Sequence, residues 1–202
     1  FTLVELLLAL AITGLVSAAV AAMLMAVSYG TSSKRDLHSV VVKSRVVDAR
    51  IASAIRGSRA ILETGTDYLV LWTGDLNPNG TLDAPDLSEI RLIERDGASD
   101  TLSSYGFPSN WTQGQIDAAN VTYQLTGNPP GFFQSATAAA KTAGSFQPTL
   151  WGSDVTSISF ALDGVAPDST MLVSYRLALG AGDLSETVVG SASARYGTVN
   201  PN

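Results

Sequence analysis

The sequence predicts an α+β fold, a long N-terminal α-helix packed against a C-terminal antiparallel β-sheet head. Three observations carry this. Residues 1–29 form an apolar run with a single charge, Glu5. From Lys34 onward, apolar residues recur at helical spacing. Beyond residue 64, short apolar runs alternate with turn-forming clusters of Gly, Pro, Asn and Asp, the pattern of antiparallel strands.

The first segment reads FTLVELLLALAITGLVSAAVAAMLMAVSY, and no further charge follows Glu5 until Lys34. More than about 20 apolar residues in succession are enough to cross a bilayer as a helix. A secretory signal peptide would show a basic n-region, a shorter apolar core and a small-residue cleavage site. Residues 1–29 do not follow that plan. Nor does a plain anchor place a carboxylate so deep in its apolar stretch, because an intramembrane charge is costly and marks a functional position. The alternative is that Glu5 snorkels to the membrane interface. Gly14 weakens the helix by about 1 kcal/mol relative to Ala. Gly14, Ser17, Ala18, Ala19, Ala21 and Ala22 are small enough to let helices approach closely.

The second half of the helix is amphipathic. Leu37, Val40, Val41, Val47, Ile51, Ala54, Ile55 and Leu62 mark one face, and Gly65 is the expected end. The expectation is one helix over about 2–63, roughly 90 Å long at 1.5 Å per residue. Its residues 1–29 form a hydrophobic half and 30–63 an amphipathic half, and the head follows over 64–202. In the head, strands are expected at Tyr68–Thr73, Glu89–Glu94, Val121–Leu125 and Val155–Leu162. Met171–Leu179 and Ser185–Arg195 flank Gly180-Ala181-Gly182-Asp183, a hairpin signal. Asn128–Pro148 reads as a long loop with a helical turn over Ser135–Lys141.

The opening string Phe1-Thr2-Leu3-Val4-Glu5-Leu6 resembles the mature N-terminus of the type IV pilin and type II secretion pseudopilin superfamily. The resemblance covers about the first 30 residues. It implies that a prepilin peptidase cuts before Phe1, that the new amine is methylated, and that Glu5 pairs with the Phe1 amine of a neighbouring subunit. Such a pair relieves the penalty of a buried carboxylate. Many members carry a proline at position 22, where Ala22 stands here. The resemblance implies a homo-oligomeric helical filament, held in the inner membrane before assembly and then displayed at the cell surface. The foremost reading is therefore a structural subunit of an extracellular type IV pilus-like filament, not an enzyme. Alternatives are a pseudopilin of a type II secretion system, or a minor pilin with a surface- or DNA-binding role. The stretch DARIASAIRGSRAI leading into YLVLW resembles the minor pseudopilin J group.

Residues 75–86, DLNPNGTLDAPD, fit the start of an EF-hand-type calcium loop. Asp75, Asn77, Asn79, Thr81 (by its carbonyl), Asp83 and Asp86 would be the Ca2+ ligands, with Gly80 at the sharp turn. The other reading is an ordinary Asp/Asn/Pro/Gly turn between strands.

Charge is segregated. Residues 34–59 hold seven of the twelve basic residues against Asp36 and Asp48, whereas residues 60–202 hold five basic and fifteen acidic residues. Copies could attract head to stalk, or these are ordinary solvated faces. The net charge of −6 argues against a general nucleic-acid binder. The absence of cysteine excludes thiolate metal sites, and one histidine, His38, leaves little material for a catalytic triad or a His-based metal site. Trp72, Trp111 and Trp151 are expected in packing rather than at a ligand surface. Asn79, Asn110 and Asn120 begin N-glycosylation sequons. No phosphate loop, nucleophile elbow or paired histidine is present.

Overall fold

A computed structural model describes residues 2–74, 84–166, 172–181 and 184–195, with residues 31–37 described in backbone only. The long helix is present as α1, Leu3–Gly57. It runs through two compact units, residues 1–39 and 40–202.

In the second unit α1 buries Val40, Val47, Ile51 and Ile55, at the four- and seven-residue spacings that the sequence displays. Burying each aliphatic side chain is worth about 1.5–3 kcal/mol. The helix stops at Gly57 rather than near residue 63. Ser58 closes the last turn, its N–H and hydroxyl both donating to the Ile55 carbonyl. Leu62 is therefore not helical but lies in strand β1, Ala60–Thr64, which pairs with β2, Tyr68–Trp72. Ile61 and Leu62 fall on opposite faces of the sheet and both are buried there. The seven-residue spacing from Ile55 to Leu62 coincides with a helical repeat although the chain leaves the helix between them. Gly65 belongs to the β1–β2 turn, where a Cβ would come 2.1 Å from the Tyr68 ring.

The head contains two sheets instead of one. The first has the order β1-β2-β3-β4-β5, with β3 at Ile90–Asp96, β4 at Thr101–Gly106 and β5 at Gln147–Gly152. All its pairings are antiparallel. Both faces are covered, which explains the continuous apolar run YLVLW. Leu69 and Leu71 join Ile61, Ile93 and Leu102 against α1. Val70 and Trp72 join Leu62, Ile90 and Leu92 on the other side, beneath Phe133 and Ala140 of helix α3, Phe132–Thr142. A shorter helix, α2, spans Gln113–Ala119.

The second sheet is β6-β7-β8, at Val155–Leu162, Leu172–Ala181 and Leu184–Ser193. Val173, Tyr175, Leu177 and Leu179 point into the core shared with α1, while Ser174 and Arg176 face out. Gly190 lies opposite Tyr175, where a Cβ would sit 2.4 Å from the phenol ring.

The expected strand at Val121–Leu125 is replaced by an isolated bridge between Asp86 and Thr122. Asn120 and Thr122 spend their side chains on the Asp86–Glu89 turn, which ties this segment down without a continuous ladder. The expected turn over Ser135–Lys141 is a full helix, α3. Helix α2 and strands β4 and β5 were not foreseen.

Candidate assembly site

Residues 3–30 of the first unit form a helical stretch long and apolar enough to cross a membrane. None of that stretch is buried within the chain. Even Val20, the most shielded of its large apolar side chains, keeps 52 % of its surface exposed. The apolar side chains lie around the whole circumference, because Leu6, Leu7, Leu8 and Ala9 stand at successive steps of about 100° around one turn. A helix apolar all round requires burial on all sides. The Thr13 hydroxyl donates to the Ala9 carbonyl at 2.7 Å, so this polar group is satisfied inside the helix.

Glu5 sits in the first turn of α1. Its Oε2 accepts the Thr2 N–H at 3.3 Å, and its own N–H donates to Thr2 Oγ1 at 3.4 Å. This is a reciprocal capping box, a role that the T-x-x-E spacing of residues 2–5 signals. The negative charge also complements the positive end of the helix dipole. Among the described residues Oε1 accepts no hydrogen bond, so one oxygen is open to a donor from outside the chain. Phe1, the expected partner and processing site, lies outside the described residues.

Of the six expected calcium ligands, Asp75, Asn77, Asn79, Thr81 and Asp83 lie outside the described residues. Asp86 is buried, at 1 % exposure, and its Oδ1 accepts the Thr122 hydroxyl at 2.5 Å. Glu89, also buried, accepts the Asp86 N–H at 3.2 Å and the Trp72 indole N–H at 3.0 Å. These two carboxylates thus fasten the chain just after the candidate loop. Among the described residues no cluster of three or more acidic or histidine side chains is placed to hold a metal.

The remaining signals sort themselves. Trp72 is fully buried, with the Arg59 guanidinium 4.3 Å above its ring. Trp111 packs on Phe107 at 5.1 Å. His38 is exposed on α1. The Asn120 side chain accepts the Ser88 N–H, whereas Asn110 lies in an exposed turn. No family model, no curated protein and no solved structure matches this chain.

Proposed function

We propose that this chain is a structural subunit of an extracellular filament of the type IV pilus kind, polymerising through the apolar half of α1. One observation carries the reading. Residues 3–30 are helical, apolar on every side and unburied by their own chain, with one carboxylate, Glu5, in the first turn. A bilayer can enclose such a surface before assembly, and the same helices of sister subunits can enclose it afterwards. The N-terminal string supports cleavage by a prepilin peptidase and methylation of the Phe1 amine. In the filament that amine would meet the free oxygen of a neighbour's Glu5, removing two charges from an apolar core. The inner membrane would be the assembly site and the cell surface the destination. Expression of Glu5→Ala tests this directly. Its expected result is loss of sheared surface filaments while the chain still accumulates, folded, in the membrane fraction. Abundant normal filaments from that strain would contradict the proposal.

We also propose that residues 75–86 bind Ca2+, on the strength of the oxygen-ligand spacing alone. Binding to the folded state stabilises it by about 2.7 kcal/mol when the free ion is a hundredfold above Kd. Chelation should therefore lower the melting temperature of the detergent-solubilised chain, and re-addition of Ca2+, though not Mg2+, should restore it. A melting curve indifferent to chelator would leave only the turn.

A further inference from the structure

In the second unit, the exposed side of α1 and the outer edge of the five-stranded sheet border an open groove of about 730 Å³. Val46, Ala49, Arg50 and Ser53 line it from α1, with Leu150 of β5 and Arg91 of β3 facing them. Val46 and Leu150 are exposed apolar side chains. Arg50 Nη1 donates to the Leu150 and Trp151 carbonyls at 3.2 and 2.9 Å, which holds its guanidinium at the groove while leaving other N–H groups free. Arg91 is exposed, and its side chain makes no hydrogen bond or ion pair among the described residues. Among the described residues no acidic side chain lines the groove. Its chemistry therefore suits a small, anionic occupant.

The same chain carries such a feature. The β3–β4 turn, Asp96-Gly97-Ala98-Ser99-Asp100, is exposed throughout and presents the Asp96 carboxylate, while Asp100 is paired with the Arg95 guanidinium at 2.6 Å. Hydrogen bonds from the Ser99 hydroxyl and the Ala98 N–H hold the Asp96 carboxyl below the usual carboxylate range. Asp96 stands at the far end of β3 from Arg91, about 17 Å away at roughly 3.4 Å per strand residue. Groove and turn are thus separate patches of one chain.

We infer that the groove receives the β3–β4 turn of a second copy of this chain, with Arg50 and Arg91 facing Asp96. The inference rests on the filament reading above and extends it to the head. A patch that binds a different patch is a heterologous contact, and copies joined in that way run on in an open helical array unless the rotation closes. The charge asymmetry of the chain agrees, since cationic residues concentrate in 34–59 and acidic residues beyond.

The chain has no cysteine, so an engineered pair is free of background. Ser53→Cys combined with Ala98→Cys should yield, on oxidation of intact filaments, a reducible ladder of dimers, trimers and longer species. Ser53→Cys with Gln113→Cys, on the exposed α2, should yield none. Filaments that give no ladder, or dimers alone, overturn this inference and leave the filament reading standing. An unmodified chain that makes no filament overturns both. If the cysteine pair itself blocks assembly, Asp96→Lys decides the matter. It should cut filament yield more than tenfold, and Arg91→Asp should restore at least half. Failure of that rescue overturns the inference.

Discussion

Tyr175 shows how single residues hold the head together. Its hydroxyl donates to Asp48 Oδ1 at 2.6 Å, joining β7 to α1, and Gly190 leaves room for the ring. Burial, followed by the Asp48 hydrogen bond and charge, pushes its phenol far above the ordinary range. Tyr68 is raised to about 12 by burial and then by its bond to Glu63. Unfolded tyrosine ionises near pH 10. The folded chain therefore retains these protons where the unfolded chain has lost them, so stability is full below about pH 10 and declines as pH rises beyond it. Urea unfolding in detergent should show a lower midpoint at about pH 11 than at about pH 9. Tyr175→Phe should flatten that decline and, at neutral pH, cost about 1–2 kcal/mol. An unchanged alkaline slope in Tyr175→Phe would show that the phenol is not shielded. The pairing of Tyr175 with Asp48 was not legible in the sequence, because the two are 127 positions apart. The capping box of Thr2 and Glu5 was legible, being local.

Among the elements, those whose own pattern decides them were readable and those decided by partners were not. Strand β6 matches its expected bounds, Val155–Leu162, because one of its faces is wet and its residues alternate. Strand β5 has four exposed residues at its start and carries little pattern, so it became visible only once paired with β4. Helix α3 was shortened to a turn because Gly131 and the preceding prolines dominate its approach. What fixes its start is remote. The Glu63 carboxylate, on β1, accepts the N–H groups of Phe133 and Gln134 at 2.8 and 3.2 Å, and the Tyr68 hydroxyl at 2.8 Å. A carboxylate there caps free N–H groups and meets the positive end of the helix dipole. Glu63→Ala should cost about 1–2 kcal/mol in urea unfolding, and Glu63→Gln, which keeps one acceptor, about half of that. Equal losses from both would mean that the charge, not the acceptor, matters. Protection of α3 amides against hydrogen exchange should fall in Glu63→Ala before that of β2.

At the scale of the whole molecule, the head is self-sufficient and the first unit is not. Residues 40–202 bury two apolar clusters of their own. Residues 3–30 bury nothing. Each large aliphatic side chain left in water forgoes about 1.5–3 kcal/mol, so lipid or sister helices must cover the surface. Moving from lipid to a filament gains little from apolarity, since both surroundings are apolar. Close packing at Gly14, Ala18 and Ala22 and the pairing of Glu5 would have to supply the difference. In the monomer a Cβ at Gly14 meets nothing within 4 Å, so any close approach there comes from another chain. A charge placed mid-helix disturbs every copy at once, at about 2.5–3.5 kcal/mol in the membrane alone. Leu10→Asp should accordingly reduce sheared filaments by more than tenfold, while Ser185→Asp, on an exposed position of β8, should keep them within about twofold. Thermal melting of the head should be the same in both variants, because Leu10 touches neither of its clusters. Normal filaments from Leu10→Asp would place the apolar half outside the filament core and leave its exposed surface to the membrane alone.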